Sequence, residues 1–294
     1  MRVVIAGSSG LLGSHLVPAL RHARHEVFRL VRGTAQAPDE REWDPSGGEL
    51  DEHALDGADA VVNLCGAPLM GKRWTPERKR ELDHSRTRST AVLAEAVRAR
   101  GIPTLINASG VSYYGDTGSR VVTESAEPGT GFLAELCRRW ESAAEHAAPA
   151  RVVRLRIGPV LSPSGGLLGP LKPLFSLMLG GRLGSGAQYV PWISLDDATA
   201  AIRFALENAE LSGPVNLTGP EPVSNAEFTR ALGEALGRPT PWVIPAFAVR
   251  AVLGELAQQL VLTGQRAVPG VLDEHGFAFQ HRSVRAALGT AISA

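Results

Sequence analysis

The chain opens Met1-Arg2-Val3-Val4-Ile5-Ala6-Gly7-Ser8-Ser9-Gly10-Leu11-Leu12-Gly13, an apolar run that breaks into glycines three residues apart before helical spacing takes over. A strand that must turn at once into a helix needs glycine wherever the backbone leaves the usual basins or two backbones approach closely. Gly7 permits the turn off the strand, Gly10 lets backbone N–H groups approach an anion, and Gly13 lets the helix pack against the strand. Leu12, Leu16, Leu20 and Ala23 then keep one helical face. The helix N-terminus adds partial positive charge. Gly7–Gly13 therefore reads as a diphosphate cradle for a dinucleotide, the bland counterpart being a plain strand-to-helix turn.

Further strand-like runs at 25–31, 60–64, 104–108 and 152–157 alternate with helical patterns, which is how a parallel sheet covered on both faces is written. The expected class is α/β, a Rossmann-type doubly wound parallel sheet with a smaller, mostly helical C-terminal substrate region. The 294 residues, 44% of them hydrophobic, suffice for a large core. Residues 1–160 are expected to form the dinucleotide-binding domain, with 196–218 returning to its sheet, and 161–294 the substrate-binding region. Thr75 as cap, Pro76 in the first turn and Glu77 near the positive end predict a helix over Pro76–Arg100 with Leu82, Arg86, Ser89, Leu93 and Ala96 on one face. A second helix is predicted over 132–147, a third over 198–208, and a fourth behind the capping box Ser224-Asn225-Ala226-Glu227. Leu167–Leu179, apolar and broken by prolines, reads as pocket lining, and the chain from Trp242 onward as two amphipathic helices.

Formal net charge +0 and a pI near 7.1 leave no global field to attract nucleic acid or an anionic membrane, which points to small molecules as partners. Cys65 and Cys137 stand in no metal-ligand or redox pattern, and the glycine turn interrupts the only N-terminal apolar run. No stretch of about 20 apolar residues offers a membrane span. A cytoplasmic protein is expected; its oligomeric state is left open.

Ligands of open α/β sheets bind beyond the strand C-termini, so the residues there are the candidates. Arg32 follows the second apolar run, where NAD-specific proteins place an acid on the ribose hydroxyls; a guanidinium there pairs with a 2′-phosphate instead and selects NADP(H). An arginine merely solvated at a strand end satisfies the same sequence. Leu64-Cys65-Gly66 closes a strand where the chain passes beneath a cofactor. Arg86 faces the sheet and needs a partner, either cofactor oxygens with Glu81 as neighbouring acceptor or an internal Arg–Glu pair. Asn107 to Asp116 forms a polar, aromatic exit in which Ser109, Tyr113 and Tyr114 are the proton-relay candidates, with packing as the alternative for the tyrosines. Arg182, Gln188 and Tyr189 are the expected polar anchors of the apolar wall running from Leu167 to Trp192.

The turn Gly-Ser-Ser-Gly-Leu-Leu-Gly, the Asn-Leu-Cys-Gly strand end, the Ser-x-x-x-Tyr-Tyr-Gly exit, Arg156-Ile157-Gly158-Pro159-Val160-Leu161 and Trp192-Ile193-Ser194-Leu195-Asp196-Asp197, in this order, resemble an extended or atypical short-chain dehydrogenase/reductase. The likeness is strongest to the NAD(P)-dependent epimerase-family proteins labelled nucleoside-diphosphate-sugar epimerase or cell-division-inhibitor-like. It runs through Arg73-Trp74-Thr75, Ser85-Arg86, Leu133 to Glu141 and Leu183 to Gly186, and includes a C-terminal helical module over 243–291. It implies NADP(H) held by the glycine turn, Arg32, Leu64, Cys65, Glu81, Arg86 and the stretch near Val160.

Active members of that superfamily use a tyrosine acid/base with a lysine four residues later. Here Tyr113, Tyr114 and Tyr189 are followed at that spacing by Thr117, Gly118 and Ile193, and the corresponding helix offers Leu133 and Cys137. Two functions follow: an NADP(H)-dependent oxidoreductase or epimerase-like protein with rebuilt proton transfer, or an NADP(H)-binding sensor that has lost turnover.

Overall fold

The computed structural model describes residues 1–293. The central sheet holds eight strands: β1 (Arg2–Ala6), β2 (Glu26–Val31), β3 (Glu40–Asp44), β4 (Glu49–Leu50), β5 (Ala60–Asn63), β6 (Thr104–Gly110), β7 (Arg151–Ile157) and β8 (Gly213–Leu217). Their order is β8-β7-β6-β5-β1-β2-β3-β4. β1 pairs in parallel with β2 and β5, β5 with β6, and β2 with β3, whereas β4 returns antiparallel on β3. The sequence order reverses between β1 and β5, and that switch point is where a doubly wound sheet opens a crevice beyond its strand ends. Gly7 follows β1 and Leu64 follows β5, so the topology brings both to that crevice.

Nine α-helices accompany the strands among the described residues: α1 (Leu11–His22), α2 (Pro76–Arg100), α3 (Phe132–Ala144), α4 (Leu168–Ser176), α5 (Leu195–Glu207), α6 (Asn225–Leu236), α7 (Ala246–Leu253), α8 (Gly270–Glu274) and α9 (Val284–Ser293). α2 begins and ends as its sequence dictates, with the Thr75 side chain accepting the Arg78 N–H and Gly101 in the left-handed region at its C-terminus. α3 stops at Ala144 and tightens into a 3-10 turn over Glu145–Ala147, shortening the expected 132–147 helix. α5 starts at Leu195, before the expected Ala198, because Ser194 Oγ accepts the Asp197 N–H and so caps it.

The proline-containing stretch Leu167–Leu179 contains α4, with Pro170 in the first turn, where a missing N–H costs no intrahelical bond, and Pro173 further in. One more expectation needs correction. The tail holds more than two helices: Trp242–Ile244 is a strand, parallel to Gly181–Leu183, and α7, a π-helical turn over Ala257–Val261, α8 and α9 follow.

The chain divides into two compact units. The first comprises 1–109, 136–155 and 199–215 and contains most of the sheet; one of its cores gathers Val4, Leu30, Trp43, Val61, Leu93, Val97 and Leu105. The second comprises 110–135, 156–198 and 216–294. Its core takes Leu161 and Trp192 from its middle segment, Phe228 and Leu232 from α6, and Val284, Leu288 and Ala291 from α9. Asp197 joins distant parts of this unit, since its carboxylate accepts the backbone N–H groups of Gln280 at 2.7 Å and His281 at 3.0 Å. Arg266–Ala267 adds a two-residue strand parallel to Val121–Val122. Leu177, Met178, Leu179, Trp242, Phe247 and Val252 are exposed. No helix among the described residues is long and apolar enough to cross a membrane.

Candidate functional site

The glycine turn has the geometry of an anion cradle. Gly7 adopts φ +82°, and a Cβ there would lie 2.8 Å from the Leu64 carbonyl carbon, so the end of β5 runs directly against it. A Cβ on Gly13 would lie 2.7 Å from Ser8 Cα, which is how closely α1 packs on the turn. Gly10 differs. Its φ is −75°, and a Cβ would find its nearest protein atom at an ordinary 3.4 Å. The fold itself therefore requires glycine at 7 and 13 but not at 10, where the space lies open to a ligand.

Gly10 caps α1 without any side-chain hydrogen bond, and no acid stands in the first turn. No described residue accepts the backbone N–H groups of Leu11, Leu12 and Gly13, and the hydroxyls of Ser8 and Ser9 make no hydrogen bond. These donors at the positive end of a helix suit a diphosphate.

Arg32 is exposed at the end of β2 and makes neither an ion pair nor a hydrogen bond with any described residue. The nearby acids are already committed. Asp39 accepts from Arg29 Nε at 2.7 Å and also from Arg21, and Glu40 pairs with Arg29 at 3.1 Å. The Arg32 charge at the β2 end is thus without an ion-pair partner among the described residues.

A buried polar network fixes the β5 and β6 termini. Asn63 and Asn107 are register partners, and Asn63 Nδ2 donates to Asn107 Oδ1 at 2.8 Å and to Thr90 Oγ1 at 2.9 Å. Trp140 Nε1 donates to the same threonine oxygen, and the Cys65 N–H donates to Asn63 Oδ1 at 3.1 Å. Leu64-Cys65-Gly66 is thereby held in one conformation. Burial pushes the Cys65 thiol up to about 12, which leaves it protonated and inert despite the nearby Arg32 charge.

Arg86 is buried, but its partner is not Glu81, which pairs with Arg78 at 2.6 Å. The internal Arg86–Glu81 pair weighed from the sequence is therefore not formed. Arg86 donates instead to the carbonyls of Leu82 at 3.0 Å and Ala67 at 2.9 Å and lies over the Trp140 ring, 5.1 Å from its centroid. A Cβ on Gly66 would come within 3.1 Å of the guanidinium carbon. Burial pulls the Arg86 pKa down to about 10, still well above neutrality, so a cation stands beside the β5 terminus, with Asp83 acting on it only through its charge and no ion pair formed among the described residues.

The three proton-relay candidates separate. Ser109 is buried and donates to Glu141 Oε1 at 2.8 Å. Tyr114, 2% exposed, donates to Asn216 Oδ1 at 2.7 Å and accepts from Arg156 Nη1 at 2.9 Å, and burial pushes its phenol up to about 12. Tyr113 is half-buried; its hydroxyl makes no hydrogen bond with any described residue, and its ring centroid lies 3.5 Å from the buried Arg156 guanidinium carbon. Leu133 and Cys137, at the expected Tyr/Lys positions, are both buried. Val160 is buried in a strand over Val160–Ser162, parallel to Ile193–Ser194. Of the expected wall anchors, Arg182 is tied to the Ser185 carbonyl, Gln188 to those of Leu183 and Val261, and Tyr189 lies under Arg266. Among the described residues no cluster of His, Cys, Asp or Glu can hold a metal ion.

Strand order, glycine turn and strand termini together define a dinucleotide-binding α/β protein. Residues 3–217 match the NAD dependent epimerase/dehydratase family and residues 244–291 a domain of unknown function, DUF1731. The chain belongs to the NAD dependent epimerase/dehydratase family, in its extended short-chain dehydrogenase/reductase-like part. It is 54% identical over 291 residues to epimerase family protein Mb2239 of Mycobacterium bovis, covering 98% of this chain and 97% of that one. It is 35% identical over 295 residues to epimerase family protein SDR39U1 of Mus musculus, covering 98% of each. The crystal structure of human epimerase family protein SDR39U1 (isoform 2) with NADPH matches at a TM-score of 0.91 and 31% identity, covering 100% of this chain and 99% of that one.

Proposed function

We propose that the protein is an NADP(H)-dependent oxidoreductase or epimerase-like enzyme acting on a small molecule in the cytoplasm. The observation that carries this reading is the pairing of two unsatisfied features: the free amides of the α1 N-terminus behind Gly10, and the unpaired Arg32 at the end of β2. The first suits the diphosphate and the second a 2′-phosphate, and the human relative whose structure contains NADPH supports the same cofactor. Bound there, the cofactor would supply hydride chemistry. The chain's own contribution is to orient it through Gly7–Gly13 and Leu64-Cys65-Gly66, with the Arg86 cation beside that strand end.

Proton transfer falls to Tyr113. Tyr114 and Ser109 have hydroxyls bound to internal partners, whereas the Tyr113 hydroxyl is unengaged and its ring is fixed by the Arg156 cation. NADPH is expected to bind more tightly than NADH in a fluorescence titration, and Arg32→Ala to remove most of the difference, about one to two powers of ten. Equal affinities for the two coenzymes would reject the assignment.

The buried Leu133 and Cys137 at the Tyr/Lys positions favour a second reading, a cofactor-binding sensor without turnover. Monitoring NADPH at 340 nm against ketones, quinones and enones separates the two. Turnover that falls at least tenfold in Tyr113→Phe selects the enzyme, and binding without turnover across the panel selects the sensor.

A further inference from the structure

The second unit contains a cavity of about 450 Å³, within the usual range for a small-molecule site. It brings together segments far apart in sequence: the exit after β6, the loop before α3, and the π-helical turn Ala257–Val261 with the chain just after it. Close backbone approaches shape the wall. Gly129 is pressed against the Tyr114 carbonyl, and Gly131 takes φ +103° with Gln259 beside it. A π-helical turn gives up regular hydrogen bonding and commonly marks a functional position. Here it carries Gln258 and Gln259 to the cavity.

Beside the charged Asp116, Arg120 and Glu127, the lining carries neutral polar groups, several of them without a partner among the described residues. Ser112 Oγ makes no hydrogen bond with any described residue. Gln265, 8% exposed, donates its Nε2 to the Gly115 carbonyl at 2.7 Å, which fixes the amide and leaves Oε1 without a partner among the described residues. Gln259 Oε1 accepts the Leu133 N–H at 3.5 Å, and its NH₂ group donates to no described residue. One hydroxyl, one acceptor and one two-proton donor thus line the same cavity, held by their backbone contacts. Leu133 and Ala134 supply an apolar floor.

The charge of the lining runs against an anion. Asp116 and Glu127 face a single cation, Arg120, and Asp116 Oδ1 is engaged only by the amides of Gly118 and Gly264. A phosphate or diphosphate would meet two carboxylates and one guanidinium, whereas a neutral ligand encounters no such repulsion.

We infer that this cavity is a binding site for an uncharged, polyhydroxylated small molecule of monosaccharide type, held through Ser112, Gln259 and Gln265, and that it discriminates against phosphorylated and nucleotide-linked sugars. The inference stands on the second unit alone and holds whether or not the protein turns over a nicotinamide cofactor.

The test uses the full chain without added cofactor. Saturation-transfer NMR is run with D-glucose, D-xylose and myo-inositol, and in parallel with glucose 1-phosphate and UDP-glucose. Transfer to at least one neutral compound is expected, with the side-chain amide resonances of Gln259 and Gln265 shifting on titration. Ser112→Ala and Gln259→Leu are each expected to weaken that binding at least fivefold with little change in melting temperature. Because Gln265 is buried, Gln265→Met serves only as a third variant if it folds. Absence of transfer to every neutral compound, tighter binding of a phosphorylated one, or unchanged affinity in both Ser112→Ala and Gln259→Leu would each overturn the inference. An NADPH titration of the same sample reports on the cofactor reading separately.

Discussion

Within the glycine turn, three residues of one type carry different loads. Gly7 and Gly13 answer to the protein's own backbone, and Gly10 answers to what binds. Gly10→Ala is therefore expected to leave the melting temperature of the ligand-free protein nearly unchanged while lowering NADPH affinity at least tenfold, as read by calorimetry. Gly13→Ala is expected to lower both, because its Cβ has nowhere to go. Equal destabilisation by the two substitutions would mean that Gly10 is structural after all. The motif was fully legible in the sequence, but this division of labour depends on distances between backbones and was not. The same holds for the hydroxyls. Ser109, Tyr113 and Tyr114 stand out together in the sequence, yet only the fold shows that Asn216, 102 residues away, accepts the Tyr114 hydrogen bond and that the Ser112 hydroxyl has no partner among the described residues.

Elements with clear end signals or a short apolar run were readable almost to the residue: Thr75, Pro76 and Glu77 mark the start of α2, and an apolar run marks β2. Glu40-Arg41-Glu42-Trp43-Asp44 was not, because β3 lies near the sheet edge and buries only Trp43 completely. What secures this part of the sheet is electrostatic. Asp39, just before β3, holds Arg21 of α1 and Arg29 of β2, and those guanidinium contacts keep its carboxyl down at about 2 against an ordinary 3.8. A carboxyl with a depressed native pKa stabilises the fold above its unfolded pKa, and that contribution is lost as pH falls through the native value. Asp39→Asn should therefore cost about 1–2 kcal/mol at pH 7, allowing for partial exposure. Urea melts should show the gap closing between about pH 4 and pH 2. A gap independent of pH would assign the effect to packing instead.

For the molecule as a whole, charge balance was plain from composition, whereas the two-unit partition was not. The partition follows from chain that leaves and re-enters each unit, and no linker composition marks those crossings. With formal net charge +0 and exposed side chains such as Leu177, Phe247 and Val252, little electrostatic repulsion opposes self-association near neutrality. Light scattering should therefore show the weakest intermolecular repulsion near the pI of about 7.1 and more repulsive behaviour one to two pH units away. A monotonic trend through neutrality would contradict this.

The pairing of Arg266–Ala267 with Val121–Val122, and of Asp197 with the amides of Gln280 and His281, has a kinetic side. Such ties must close very long loops before they return any energy, while the β1–α1–β2 segment closes short ones. The cavity framed by the π-helical turn therefore takes shape only once segments as distant as Ser112 and Gln265 have found one another.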